Sequence, residues 1–250
     1  MIVILASLLS TQQAPITVLP RAHSHNDYAQ KRPLDEALDN GFCSVEVDVF
    51  PINGKLLVGH NAKDIQEDKT IESMYLNKLS VRAKANKGAI YPGSKATFWV
   101  LVDVKREGLL AYNTLKTILD RYSELKRNKS HVRFVISGDR AIEAIAADKG
   151  AYAGIDGRMD DLSKNYSFAV MPWISGDWTE SFKWFGRGDF PVESKTKLDE
   201  MVKAVHDQHK LIRFWGTPDN NLCWDVSWKS GVDLINTDHL AWLAKWCKNR

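Results

Sequence analysis

From residue 16 onward the chain alternates short β-branched or apolar runs with longer segments of helical period, the pattern of repeated strand-helix units around a parallel sheet. Eight strand-like runs can be counted, over residues 16–23, 44–50, 97–105, 132–137, 152–155, 168–174, 211–215 and 232–236. Eight such units in 250 residues predict a single (β/α)8 TIM barrel. A doubly wound sheet would instead bring two halves and a glycine-rich dinucleotide loop, and the sequence has no such loop. Between the first two runs, Pro33 is placed to open a helix, Leu34, Ala37 and Leu38 form its apolar stripe, and Asn40-Gly41 is suited to close it in the left-handed region. After the second run, Asn53-Gly54 predicts a tight turn into a hairpin strand over 55–58. Residues 61–96 are too many for a simple connection and read as a small insertion over one mouth of the barrel.

The period of two within a strand sorts side chains by face. Val45, Val47 and Val49 share one face of the second run, and Glu46 and Asp48 share the other. The outer face of a barrel strand packs against helices, so the valines belong outside and the two carboxylates point inward. The third run repeats the arrangement, with Val100, Val102 and Val104 opposite Leu101, Asp103 and Lys105. Barrel chemistry sits at the carboxyl ends of the strands, which is where Glu46, Asp48, Asp103 and Lys105 fall. Carboxylates this close need a cation or a proton to compensate them. An all-oxygen donor set with open positions suits Mg²⁺ or Ca²⁺ better than zinc, and an Asp103-Lys105 structural pair is the simpler alternative. His23 and His25 end the first run and His60 ends the hairpin, at the same mouth. Imidazoles beside a cation can exchange protons near neutral pH, as displacement at phosphorus requires.

Composition narrows the field. Hydrophobic residues make up 44% and charged residues 26%, the balance of a globular protein. The 34 Lys+Arg against 31 Asp+Glu are scattered without a basic stripe, which argues against a nucleic-acid partner. Cys43, Cys223 and Cys247 have no zinc spacing, Cys43 reads as core, and a Cys223-Cys247 pair is left open. The apolar run Met1–Ser10 is too short to span a bilayer and has the length of the apolar part of a secretory signal, without the usual basic start. Residues 1–14 are therefore a candidate signal segment, 15–250 the barrel, and the expected location is secreted or periplasmic. No transmembrane anchor is expected, and the protein is read as a monomer.

These motifs resemble those of the phosphatidylinositol-phospholipase-C-like phosphodiesterase superfamily, in particular the glycerophosphodiester phosphodiesterases and their sphingomyelinase D relatives. The resemblance covers His23-Ser24-His25-Asn26, the helix from Pro33 to Gly41, Glu46-x-Asp48, Asn53 to His60, Asp103-x-Lys105, Leu211 to Trp215, and Gly231 to Asp238, in order. It implies a Mg²⁺ or Ca²⁺ held by Glu46, Asp48 and Asp103, with His23 and His60 as acid-base pair. It also implies that Lys105 contacts the phosphate and Trp215 lines the pocket, with a small phosphodiester or phospholipid headgroup as substrate. Where the glycerophosphodiester enzymes carry His-Arg-Gly, this chain has His23-Ser24-His25, so the phosphate clamp falls to His25 or to Arg158. His60-Asn61 stands where those enzymes have a His-Asp pair. Trp173, Trp178 and Trp184 could hold a lipid or sugar portion or simply pack, and Asn236, Thr237 and Asp238 could hydrogen-bond substrate. Two other readings remain: a catalytically silent barrel that binds a phosphorylated ligand, and a zinc metallohydrolase of amidohydrolase type opening on His23-x-His25 and closing on Asp238.

Overall fold

A computed structural model describes residues 16–250. Strands β1 (Leu19–Ser24), β2 (Phe42–Ile52), β4 (Phe98–Val104), β5 (Val132–Gly138), β6 (Gly154–Gly157), β7 (Trp173–Asp177), β8 (Leu211–Trp215) and β9 (Ile235–Thr237) lie side by side and parallel, in the order β8-β7-β6-β5-β4-β2-β1-β9. A parallel bridge from Arg213 to Leu234 brings β8 beside the chain entering β9, so the eight strands form a nearly closed α/β TIM barrel. The extra strand, β3 (Lys55–Val58), runs antiparallel to the end of β2 through the expected hairpin.

The two-residue period is realised. Val45, Val47, Val49, Val100 and Val102 are fully buried against the outer helices, while Trp99, Leu101, Val135, Trp173 and Leu234 form a separate apolar layer inside the barrel. That inner layer is the floor on which the polar residues nearer the strand ends stand. Helix α1 (Asp35–Asp39) starts two residues after Pro33 because Leu34 sits at φ +64°, outside helical space, and Gly41 closes the turn at φ +84° as expected. A Cβ on Gly41 would fall 2.0 Å from the Thr17 carbonyl oxygen, so only glycine fits.

Strands β1, β6, β7 and β9 lie further along the chain than their apolar runs suggest. The run at 168–174 begins with a turn in which the amides of Val170 and Met171 both donate to the Ser167 carbonyl, at 3.0 and 2.8 Å, so Phe168 is exposed and the strand starts at Trp173. Strands β6 and β9 are displaced in the same direction. The displacement carries Asp156 and Asp177 onto strands, at the mouth. The insertion also differs from expectation: its second half, through α2 (Asn77–Ala85), buries Leu79 and Ala83 and packs in the outer ring. Only the hairpin and the short segment after it, with His60, stand at the mouth.

The aromatic cluster is core. Trp178 and Trp184 pack with Phe182, Phe190 and Phe214 behind β7 and β8, and Trp173 lies in the barrel floor, so none of the three is a lipid or sugar platform. Cys43, Cys223 and Cys247 are all free thiols, which settles the open Cys223-Cys247 pairing against a disulfide. Among the described residues, no helix is long and apolar enough to cross a membrane.

Candidate active site

The inward faces of β1, β2, β4 and β8 meet at the carboxyl end of the barrel in two levels. The lower level is closed. His23 has no exposed surface, and Glu46 and Arg213 are 6% and 3% exposed. Arg213 Nη1 lies 3.0 Å from His23 Nε2 and 3.2 Å from Glu46 Oε2, and His23 Nδ1 is 2.6 Å from Ser44 Oγ. His23 Nε2 also lies 3.1 Å from Glu46 Oε2, so this nitrogen faces a guanidinium, toward which it can only accept, and a carboxylate, toward which it can only donate, while Nδ1 is engaged by the Ser44 hydroxyl. Burial, followed by the charge of Arg213, lowers the His23 pKa to about 4, so the ring is neutral at pH 7. Burial opposes the charge on Glu46, but Arg213 and then His23 hold it well below the usual carboxylate range. Trp173 meets the His23 ring edge-on with centroids 6.0 Å apart and holds it from below.

The upper level is open to solvent on one side. Asp48 is fully buried, and its Oδ2 accepts from the Tyr28 hydroxyl at 2.7 Å, from His60 Nδ1 at 2.9 Å and from the Lys105 ammonium at 2.7 Å. Lys105 also reaches Asp103 Oδ2 at 2.5 Å. Its pKa is raised, since the two carboxylates outweigh burial, whereas burial raises that of Asp103 despite Lys105. Gly138, at φ +69°, leaves room for Asp103: a Cβ there would meet Asp103 Oδ1 at 2.8 Å and the Val104 carbonyl oxygen at 2.2 Å.

His25 follows His23 by two residues and so continues the inward face of β1 one level higher. Its Nδ1 donates to Asp238 Oδ1 at 2.8 Å, and its side chain keeps 29% of its exposure. Burial works against its charged form, but the hydrogen bond to Asp238 and the nearby Glu46 more than offset this, and its pKa is raised.

Glu46, Asp48 and Asp103 offer ligand oxygens that all lie within 4.8 Å of one another. Asp48 Oδ1 is buried with no hydrogen-bond partner, and a buried carboxylate oxygen left bare is costly unless a cation or donor completes it. The oxygen-only set fits a hard divalent cation. It is not the histidine-rich set of a zinc amidohydrolase; Asp238 holds His25 instead.

The structure thus gathers His23, His25, Glu46, Asp48, His60, Asp103 and Lys105 at one mouth, with His23 beneath the surface rather than open to it. Arg158 and Trp215 lie on the opposite side of the same mouth, with the Arg158 guanidinium carbon 4.8 Å from the centre of the Trp215 ring. Arg213 and Tyr28 were not foreseen. Arg213 had a visible signal: it interrupts the apolar run Leu211 to Trp215 on the same face as Trp215. Tyr28 had none, because its role depends on the path of the loop after β1. Asn236 pairs with His23 across β1 and β9, and both atoms of its buried amide lack a partner, which leaves it available to a ligand.

Comparison with known proteins finds phosphodiesterase-like families. The AIM6-like phosphodiesterase domain family matches residues 12–149, and the glycerophosphoryl diester phosphodiesterase family matches residues 212–241. The chain is 26% identical to the Altered inheritance of mitochondria protein 6 homolog of Arthroderma benhamiae, over 92% of this chain and 88% of that protein. It is 27% identical to Altered inheritance of mitochondria protein 6 of Lachancea thermotolerans, over 94% and 67%, and 29% identical to that of Eremothecium gossypii, over 92% and 70%. No solved structure matches. These relatives correct the expected location: proteins named for the inheritance of mitochondria do not agree with a secreted or periplasmic protein. The apolar run on which export was read lies outside the described residues. Closed at its floor by His23, Glu46 and Arg213 and carrying carboxylates and imidazoles above, the barrel belongs to the AIM6-like phosphodiesterase domain family.

Proposed function

We propose that this chain is a divalent-cation-dependent phosphodiester hydrolase, acting on a glycerophosphodiester or a phospholipid headgroup, with His25 and His60 as its acid-base pair. The observation that carries the reading is the bare Asp48 Oδ1 among three converging carboxylates, beside two imidazoles each held by a carboxylate. Glu46, Asp48 and Asp103 would hold Mg²⁺ or Ca²⁺, which when bound supplies positive charge to the nonbridging oxygens of the phosphodiester.

The chain's own residues do the rest. His60 donates through Nδ1 to Asp48, which fixes the tautomer and leaves Nε2 with its lone pair, the form needed to take a proton from an attacking water or substrate hydroxyl. His25, with its raised pKa, keeps its second proton for the departing alcohol oxygen. Lys105 stands between Asp48 and Asp103, and with those carboxylates holding a cation its ammonium would be free to turn to a phosphate oxygen. His23 is assigned a positioning role: with both nitrogens engaged and no exposure, it has no proton to exchange with substrate and instead holds Arg213 and Glu46 in place. This departs from the expectation that His23 and His60 form the pair.

A second reading has one observation in its favour. Lys105 already neutralises Asp48 and Asp103, so the barrel could keep this internal cation and bind a phosphorylated ligand without turnover. ³¹P NMR of glycerophosphodiesters incubated with the chain, in Mg²⁺, in Ca²⁺ and in chelator, separates the two. Cleavage that needs the cation and disappears in Glu46→Gln supports the hydrolase. Intact substrates in every condition, with ligand-induced line broadening, would support the silent barrel.

A further inference from the structure

The side of the mouth opposite the carboxylates determines which head group the site can take, an inference that rests on the phosphodiester reading above. On β8, Ile212 and Phe214 are buried outward, so Leu211, Arg213 and Trp215 share the inward face. Arg213 reaches Glu46 at the lower level, which puts Trp215 one level above it, at the rim of the same cleft. The indole is held there by Nε1–H donating to Asp177 Oδ2 at 3.1 Å, and Asp177 is itself fixed by the amides of Thr179 and Glu180 at the start of the short helix Trp178–Phe182. A fixed, part-exposed indole face at the rim of a phosphodiester site is a surface on which a quaternary ammonium head group would rest by cation-π attraction.

In this chain that face is taken. The Arg158 guanidinium lies over the Trp215 ring, its carbon 4.8 Å from the centroid. It is not a loose surface side chain. Arg158 Nη1 donates to Asp156 Oδ2 at 2.9 Å and to the carbonyl oxygens of Asp156 and Gly157 at 3.1 and 3.0 Å, and Nη2 donates to Ser137 Oγ at 3.3 Å. Asp156 is fully buried and receives the hydroxyls of Ser137 and Ser175, so the arm that anchors Arg158 is built into the inner ends of β5, β6 and β7. A cation arriving at Trp215 would have to displace a tethered cation or sit beside it, and both are unfavourable. Lys105 adds a further positive group across the mouth.

We infer that Arg158, stacked on Trp215, makes this a site for phosphodiesters whose head group is anionic or polyhydroxylated, and excludes quaternary ammonium head groups such as choline. Nη2 carries one 3.3 Å contact for its two protons, which leaves donor capacity for a head-group hydroxyl or a second anionic oxygen.

The test uses head-group monoesters, which a phosphodiesterase does not cleave, titrated calorimetrically into the full chain with Mg²⁺: myo-inositol 1-phosphate against phosphocholine. The wild-type chain is expected to bind the inositol ester at least ten-fold more tightly. Arg158→Ala is expected to remove that preference and to gain phosphocholine binding, which Trp215→Ala in the same background abolishes. Arg158→Lys, which keeps the charge and approximate length, should still reject phosphocholine and guards against a folding defect in the alanine variant. Equal wild-type affinities, binding of neither ester, or an Arg158→Ala chain that still rejects phosphocholine would each overturn the inference. Glycerophosphoinositol and glycerophosphocholine are then offered for turnover. If neither is cleaved while the binding preference holds, the hydrolase reading fails and the head-group selectivity stands.

Discussion

His23 on β1 and His25 just past its end stand two residues apart, and the barrel puts them in opposite states. The lower imidazole is sealed between Ser44, Glu46, Arg213 and Trp173, neutral, with its pKa lowered to about 4. The upper one is part-exposed, tied to a single carboxylate, with its pKa raised. Residue type is the same, and the difference comes from about one strand repeat of height, His23 lying within β1 and His25 one residue past its end. At the lower level the barrel wall supplies a guanidinium and leaves His23 no exposed surface, so burial decides. At the rim, solvent remains and Asp238 decides. The lower residue is suited to hold the wall together and the upper one to exchange protons.

The largest expected effect falls on turnover. His25→Ala and His60→Ala should each lower kcat by about 10²- to 10⁴-fold, the usual worth of a positioned acid or base, with thermal midpoints near wild type because both side chains lie at the rim. His23→Ala should behave differently, losing stability along with activity. Steady-state kinetics and thermal melts on the three variants measure both quantities. A His23→Ala chain with an unchanged melt and a selective kcat loss would reverse the two roles.

Stability is where the lower level should answer most strongly. Arg213→Ala removes the only positive group that touches Glu46 among the described residues and leaves a buried carboxylate without its cation, a change worth about 3 to 5 kcal/mol. Urea unfolding in chelator reads this directly. Arg213→Ala paired with Glu46→Gln should recover much of the loss, because no charge is then stranded; failure to recover would mean that Arg213 acts by packing.

Much of this was readable before the fold was known. The barrel followed from eight spaced apolar runs, and the inward direction of Glu46, Asp48 and Asp103 followed from valines at alternate positions, because a two-residue period leaves only one face for them. Hidden in the sequence was height. Periodicity separates inside from outside but does not say which of two inward residues lies below solvent, so His23 and His25 could not be ranked, and the depth of each depends on the stagger of neighbouring strands. The displaced strands had a related cause: at 168–174 the apolar run and the ladder do not coincide, since Ser167 captures two amides and delays the strand to Trp173. Asp156 and Asp177 thereby reach the mouth, and with them the anchors of Arg158 and Trp215.

Acid sharpens the contrast between the histidines. In the unfolded chain His23 takes up a proton near pH 6.5, while in the fold it resists until about pH 4, so the unfolded state binds more protons across that window. Its contribution is therefore complete above pH 6.5 and is lost as pH falls toward 4, by about 3 kcal/mol in all. Glu46, also held low, extends the loss below that window. His25 has the opposite sign: with its folded pKa raised, its contribution is present below the unfolded value and fades as pH rises through the folded one. Chelator-treated protein melted from pH 7 to 4 should lose stability, and His23→Gln should flatten the slope. An unchanged slope would show that His23 is not the group taking up the proton.

The smallest expected effect isolates the partner of His25. Asp238→Asn keeps the shape of the residue and removes the charge, so Nδ1–H keeps an acceptor while the imidazolium loses its stabilising carboxylate. Glu46 still favours the charged ring, so the His25 pKa should fall without collapsing. Since His25 is assigned to protonate the leaving alcohol, the acid limb of the kcat profile is untouched, and the basic limb moves to lower pH. At neutral pH the rate should drop by roughly ten-fold, less than for His25→Ala, in line with the worth of groups that orient a functional residue. Histidine resonances titrated by NMR follow the same shift without turnover. A basic limb that stays in place while the His25 resonance moves would assign the proton donor to another group, and a resonance that does not move would remove Asp238 from the account of His25.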